Sequence, residues 1–174
     1  MGDPPCPLME MLGISRDAPA WLSWEKNACW EKKEYPDVHF YSIRSKAISF
    51  QWTPEPDPSH SQLVAIDVYN GHTKWGVYPH YPIDISNGEK RLSIHPTTKA
   101  LEFVQVLGEP TRKGGGASMG GPAMWMEWTC SLAGSPVYIQ VEFAGTLARS
   151  ADRWERGQGT EAVWGTVTLS MLPP

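Results

Sequence analysis

The 174 residues are 41% hydrophobic and 20% charged, a balance that excludes a largely disordered chain and fits one globular domain over 1–174. The formal net charge of −4 argues against a nucleic-acid-binding protein, because such proteins carry a basic footprint. No stretch approaches about 18 consecutive apolar residues, so the sequence predicts no membrane-spanning helix.

The N-terminal segment and the cysteines favour an intracellular protein. The segment MGDPPCPLMEMLG has neither the basic stretch nor the sustained apolar run of a secretory signal peptide. Cys6, Cys29 and Cys130 are odd in number and widely spaced, which argues against a disulfide framework and favours a reducing compartment. We therefore predict a cytoplasmic protein in which all three cysteines are structural.

The first half of the chain has the pattern of a short helix followed by three strands. Apolar residues dominate the segment LMEMLGI at 8–14, which predicts the helix. The segments VHFYSIRS, AISFQW and QLVAIDVY, at 38–45, 47–52 and 62–69, predict the strands, and the last two show alternation of period two. Three prolines in TPEPDPSHS, at 53–61, indicate a solvent-exposed loop between the second and third strands.

A segment rich in proline and tyrosine connects the two halves at 71–96. The dipeptide Asn87-Gly88 is a turn signal, and we predict short strands at 83–85 and 91–94 on either side of it.

The second half begins with the clearest helix of the sequence, at 98–107. Apolar residues recur at helical spacing between Ala100 and Leu107. Gly108 stands where a left-handed residue commonly ends a helix, and Pro110 blocks continuation.

Three further strands are predicted at 124–128, 136–143 and 162–171. The last two alternate cleanly, and their core-facing residues are predicted to be Val137, Ile139, Val141 and Phe143, then Val163, Val167, Leu169 and Met171.

The two halves share one order of elements, which defines the predicted fold. Each half has a short apolar helix ending in Leu-Gly and three strands, so we predict an internal duplication with units at about 7–70 and 97–171. The predicted fold class is α+β: an antiparallel sheet built from two helix–strand–strand–strand units, with the helices packed on one face.

The run LEFVQVLGEPTRKGGG, followed by MWMEW, VYIQVEF and a closing strand, resembles the unit of the beta-lactamase inhibitory protein-like and BamE-like folds. The resemblance rests on Leu107, Gly108, Pro110 and the spacing to Trp125. It implies a curved sheet with helices packed behind it and an open face in front.

Side chains of outward parity in the second half predict a binding face. A mixture of rigid aromatic rings and polar rim groups is typical of a recognition surface, and the nine tryptophans of the chain favour one. The predicted set is Trp125, Glu127, Tyr138, Gln140, Glu142 and Trp164. The alternative is that these aromatic rings form a second small core beneath a loop such as 144–161.

We therefore predict a non-enzymatic, protein-binding or inhibitor-like module whose partner is another protein, with no nucleic acid, membrane, cofactor or metal involved. An alternative is a small enzyme or ligand-binding protein whose pocket lies between the sheet and segment 74–96, with Tyr78, His80 and Asp84 as its polar groups. Carbohydrate binding through exposed tryptophans is a third hypothesis.

Other motifs carry weaker signals. The glycine-rich run at 111–121 follows a helix and precedes a strand, which is the reverse of a phosphate-binding loop, so we predict a hairpin connection or lid. Glu127 and Glu142 are candidates for a carboxylate pair on neighbouring strands, although two solvated carboxylates are the simpler interpretation. Zinc-ligand spacing is lacking among the five histidines, which are His39, His60, His72, His80 and His95.

Overall fold

An eight-stranded antiparallel sheet dominates the computed structural model, which describes residues 7–26, 28–71, 74–116, 122–155 and 157–172. The strand order is β1-β2-β3-β4-β10-β9-β8-β7, and β5 and β6 form a separate hairpin. Cys6, His72 and positions 117–121 of the glycine-rich run lie outside the described residues.

The strands are β1 Glu31–Glu34, β2 His39–Ile43, β3 Ile48–Trp52, β4 Leu63–Tyr69, β5 Ile83–Asn87, β6 Lys90–Ile94, β7 Arg112–Gly114, β8 Trp125–Leu132, β9 Ser135–Phe143 and β10 Trp164–Ser170. The helices are α1 Leu8–Met11, α2 Pro19–Glu25 and α3 Ala100–Leu107.

One face of the sheet carries the hydrophobic core, as period-two alternation requires. Ile48 and Phe50 on β3 pair with Val68 and Ile66 on β4, and none of these four side chains has exposed surface. The same face continues through β10 and β9, whose core residues include Val167, Leu169, Ile139 and Val141.

The helices and the β5–β6 hairpin contribute their apolar residues to this core. On α2, which has a proline in its first turn, the Trp21 ring lies 4.6 Å from that of Trp52, and on α3 the Phe103 ring lies 6.1 Å from that of Trp128. Ile83, Ile85, Leu92 and Ile94 of the hairpin are also buried. In the described ranges, none of the helices is long and apolar enough to cross a membrane.

The predicted helix at 98–107 is present as α3, two residues shorter at its start. Thr98 does not cap it: its hydroxyl accepts the His95 N–H at 2.9 Å, whereas the Glu102 carboxylate accepts the Lys99 N–H at 2.8 Å. Gly108 ends the helix with φ 88° and ψ −170°, an extended positive-φ conformation open essentially to glycine alone. The predicted positive φ is therefore confirmed, but the backbone is not left-handed helical.

The two predicted three-strand units are not confirmed. Each half instead contributes a four-stranded meander, β1–β4 or β7–β10, and the two meanders join through their last strands. The added strands escaped prediction because β1 is Glu-Lys-Lys-Glu and β7 has only three residues, so neither has an apolar alternation.

Candidate functional site: the open face of the sheet

The face of the sheet opposite the core, here called the open face, lacks a covering helix among the described residues. One polar side chain from each strand forms a continuous row across it, here called the central row. In sheet order the central row is Glu31, Ser42, Ser49, Asp67, Thr168, Gln140, Glu127 and Arg112. Seven strand spacings of about 4.8 Å make this row roughly 34 Å long.

Two shallow cavities flank the centre of the open face. The Trp75 groove has a volume of about 250 Å³ and is lined by Glu31, Lys33, Tyr35, Phe40, Ser42, Arg44, Ser49, Tyr69 and Trp75. The Tyr138 groove has a volume of about 230 Å³ and is lined by Gln51, Ala65, Tyr138, Gln140, Thr168, Ser170 and Leu172. Side chains of the sheet face therefore line most of each groove.

Asp67 lies in the central row between the two grooves. Its carboxylate accepts hydrogen bonds from the Gln51 amide at 2.8 Å and from the Thr168 hydroxyl at 2.7 Å. Both donors line the Tyr138 groove, and the neighbouring Ser49 lines the Trp75 groove. Loss of hydration raises the pKa of the Asp67 carboxyl, and the two hydrogen bonds only partly oppose that effect.

A stack of aromatic and charged side chains lines part of the Trp75 groove. The Tyr69 and Trp75 rings are parallel with centroids 3.9 Å apart, and the Arg44 guanidinium lies 5.7 Å from the Trp75 centroid. Arg44 also forms an ion pair with Glu31 at the first strand. Desolvation, with a smaller contribution from the Asp67 charge, raises the pKa of the Tyr69 hydroxyl.

Glu127 is the most buried charged residue of the open face, with 2% of its surface exposed. Its nearest cation, an Arg112 nitrogen, lies 3.8 Å from Oε1, which is too far for a hydrogen bond. Its Oε2 atom is buried without a hydrogen-bond partner in the described part of the chain. The neighbouring Trp125 ring lies over the backbone of Gly114, with Arg112 5.8 Å from its centroid.

The structure places five of the six predicted binding residues on the open face. By register Trp125 lies opposite Glu142, Glu127 opposite Gln140, and Thr129 opposite Tyr138. Tyr138, Gln140 and Trp125 are partly exposed and Glu142 is exposed, whereas Glu127 is buried. The pairing makes Glu127 and Glu142 diagonal neighbours, but their unequal burial does not resemble two carboxylates that face one cleft.

The segment 144–161 leaves Tyr138 and Gln140 partly exposed, contrary to the covered-core alternative. It packs at the start of β8 instead, where Ala148 accepts the Met124 N–H at 3.0 Å and the Arg153 Nε donates to Gly115 at 2.7 Å.

The prediction that Trp164 faces outward is wrong. Its side chain is 1% exposed, and its Nε1–H donates to the His95 carbonyl at 2.8 Å. A register shift between Trp164 and Thr166 places Trp164 opposite Phe143 but Thr166 opposite Glu142. This bulge at Gly165 turns Trp164 to the core face, so counting parity back from Val167 gives the wrong side.

The alternative pocket residues do not line either groove. Tyr78 is buried in the core, with its ring 5.7 Å from that of His80, and desolvation raises the pKa of the tyrosine and lowers that of the histidine. Asp84 is exposed on β5 and accepts a hydrogen bond from Ser93 of β6. Groups of three or more potential metal ligands do not occur within the described ranges.

Sequence reasoning missed four residues that shape the open face: Phe40, Asp67, Tyr69 and Trp75. Asp67 carried a usable signal, since an acidic residue between Ile66 and Val68 must face away from the core. No sequence pattern predicts the position of Trp75, because only tertiary packing brings its ring against the ring of Tyr69.

No family model, curated protein or solved structure matches this chain. The resemblance to the beta-lactamase inhibitory protein-like and BamE-like folds therefore stays a prediction.

Proposed function

We propose that this protein is a non-enzymatic binding module that holds another protein on its open face. The observation that carries the proposal is a face of eight strands, without a covering helix among the described residues, whose aromatic and polar side chains surround two grooves. Partly exposed rings with polar neighbours supply contact area and specificity in protein interfaces.

The dimensions of the face favour a macromolecular partner. Three rows of same-face side chains span roughly 20 Å along the strands, so the face offers about 700 Å². Standard interfaces bury about 800 Å² from each partner. The two grooves, at about 250 and 230 Å³, are smaller than the roughly 300–1,000 Å³ of small-molecule pockets and fit single side chains of a partner.

The edges of the sheet favour binding on the face over pairing with an edge strand. The edge strand β1 is Glu31–Glu34 with four charged side chains, and the other edge, β7, is Arg112–Gly114. Short, charged edge strands resist the addition of another strand.

Selection from a random peptide library on the immobilised protein tests the proposal. In amide NMR spectra, the selected peptides should shift signals on the open face, including those of Phe40 and Tyr138. Tyr138→Arg should abolish binding. The matched control is Leu101→Arg on α3, where the leucine is 38% exposed on the helical side. Signal changes confined to the helical side, or equal losses in both variants, would refute the proposal.

We infer further that the sheet arose by duplication. The strands β2–β4 and β8–β10 correspond to the two predicted three-strand units, and a helix precedes each. Their order in the sheet is palindromic about the β4–β10 pair, so the inferred duplication would place an approximate two-fold axis beside Asp67 and Thr168.

A further inference from the structure

We propose that the open face binds an extended basic segment of its partner along the central row, with one cationic side chain on Asp67 and a second on Glu127. This inference rests on the proposed protein-binding function and specifies the chemistry of the partner.

The charges on the open face are arranged for such a ligand. Three carboxylates lie toward its middle: Asp67 on β4, Glu142 on β9 and Glu127 on β8. The cations lie nearer the two edges: Lys33 on β1, Arg44 just after β2 and Arg112 on β7. Among the described residues, Lys and Arg form no ion pair with Asp67 or Glu142. Glu127 has Arg112 at 3.8 Å, beyond hydrogen-bonding distance, so a cationic partner would neutralise carboxylates toward the middle of the face.

The state of Glu127 is the second, independent indication of a ligand. A carboxylate with 2% exposure whose Oε2 lacks a donor is costly, because a buried charged acceptor normally has a hydrogen-bond partner. Arg112 stands 3.8 Å away, and its own side chain is half exposed. A ligand cation that replaces Arg112 at hydrogen-bonding distance would satisfy this carboxylate.

Asp67 is already oriented to receive a cation. Gln51 and Thr168 each donate to one carboxylate oxygen and fix the group between the grooves, yet each oxygen retains a free acceptor site. The flanking Tyr69 and Tyr138 rings supply apolar contact for the stem of a lysine or arginine side chain.

The spacing of the two carboxylates specifies the sequence pattern of the ligand. Asp67 on β4 and Glu127 on β8 are three strand spacings apart in the central row, or roughly 14 Å. An extended chain advances about 3.3 Å per residue, so side chains about four positions apart, which point to the same side, span this distance. The expected pattern is two basic residues separated by three others.

The test uses short glycine- and threonine-based peptides that differ only in their two arginines. The peptide with arginines about four positions apart should bind roughly tenfold more tightly than the one with adjacent arginines, as measured by NMR titration. Replacing both arginines by citrulline should remove binding. Asp67→Asn and Glu127→Gln should each abolish the spacing preference, and the control Glu89→Gln removes the same charge from the exposed hairpin turn and should preserve it.

The wild-type protein provides a readout that does not depend on any variant. The carboxyl carbon shift of Asp67, followed against pH, should report a lower pKa when the spaced peptide is bound, because a nearby cation favours the charged carboxylate. Equal weakening by Glu89→Gln, no spacing preference, or an unchanged Asp67 titration would overturn the inference.

The two proposals fail in distinguishable ways. If library-selected peptides bind the open face but lack basic residues and are insensitive to Asp67→Asn, the binding function stands and the basic-segment inference is wrong. If neither the selected nor the arginine peptides shift signals on the open face, both are wrong.

Discussion

At the centre of the open face, the Asp67 carboxylate is held by Gln51 and Thr168 in surroundings that have removed much of its water. Two hydrogen bonds do not fully replace hydration of a charged group, so burial raises the pKa of this carboxyl. Asp67 therefore weakens the folded state once it ionises, a cost that the proposed binding function would explain.

The raised pKa gives Asp67 a testable effect on stability. Because the folded state binds this proton more tightly than the unfolded chain, stability falls as the pH rises through the raised pKa. Asp67→Asn removes that titration, and the asparagine oxygen still accepts from Thr168 while a turned Gln51 amide accepts from its nitrogen. We therefore expect the free energy of unfolding of Asp67→Asn to rise relative to that of the wild type as the pH increases from about 4 to about 7.

Urea denaturation at the two pH values measures this difference. Glu89→Gln, which removes a carboxyl from the exposed turn between β5 and β6, controls for the change in net charge. An Asp67→Asn variant whose relative stability is identical at both pH values would contradict the assignment of a desolvated carboxyl.

At the scale of elements, the bulge in β10 decides which tryptophan belongs to the core. Trp164 and Val167 are three positions apart and both buried, which is possible only because Gly165 interrupts the alternation. Trp125 on β8 keeps strict alternation with the buried Met126 and lies on the open face.

Because Trp164 is buried and Trp125 is partly exposed, the two substitutions to alanine should lower stability by different amounts. Trp164→Ala should lower the free energy of unfolding by about 3–5 kcal/mol, because it leaves a cavity in the core and an unpaired His95 carbonyl. Trp125→Ala removes a partly exposed ring and should cost less than about 1 kcal/mol. Chemical denaturation of both variants checks the order, and a Trp164→Ala protein as stable as wild type would show that its ring is not core.

A local sequence pattern predicts a strand when apolar residues alternate without interruption, and a helix when they recur at helical spacing. Strands such as β3 and β9 and the helix α3 therefore lie close to their predicted positions. The bulge at Gly165 leaves no period-two trace, and the pairing of Tyr69 with Trp75 depends on tertiary contact. The five predicted residues on the open face thus follow from strand parity, and the grooves follow only from the assembled sheet.

At the scale of the whole molecule, the two halves share one hydrogen-bonded sheet and one core. β4 of the first half pairs with β10 of the second, and Ile66 lies opposite Leu169 across this junction. The buried side chains of both halves form a single continuous cluster. A structure without an internal boundary should unfold as one cooperative unit.

This cooperativity predicts that a small core change in one half lowers the protection of both halves against hydrogen exchange by the same amount. Ile66→Val, at a side chain without exposed surface, should lower the free energy of unfolding by about 0.5–1.5 kcal/mol. If unfolding is global, the slowest-exchanging amides of Ile139 and Val141 on β9 should lose the same amount of protection as those of β4 in native-state hydrogen exchange. Leu101→Val on the exposed side of α3 should leave both sets nearly unchanged. Reduced protection confined to β1–β4 would instead mean that the halves open separately, and the open face would then lose its continuity across the β4–β10 pair whenever the first half opens.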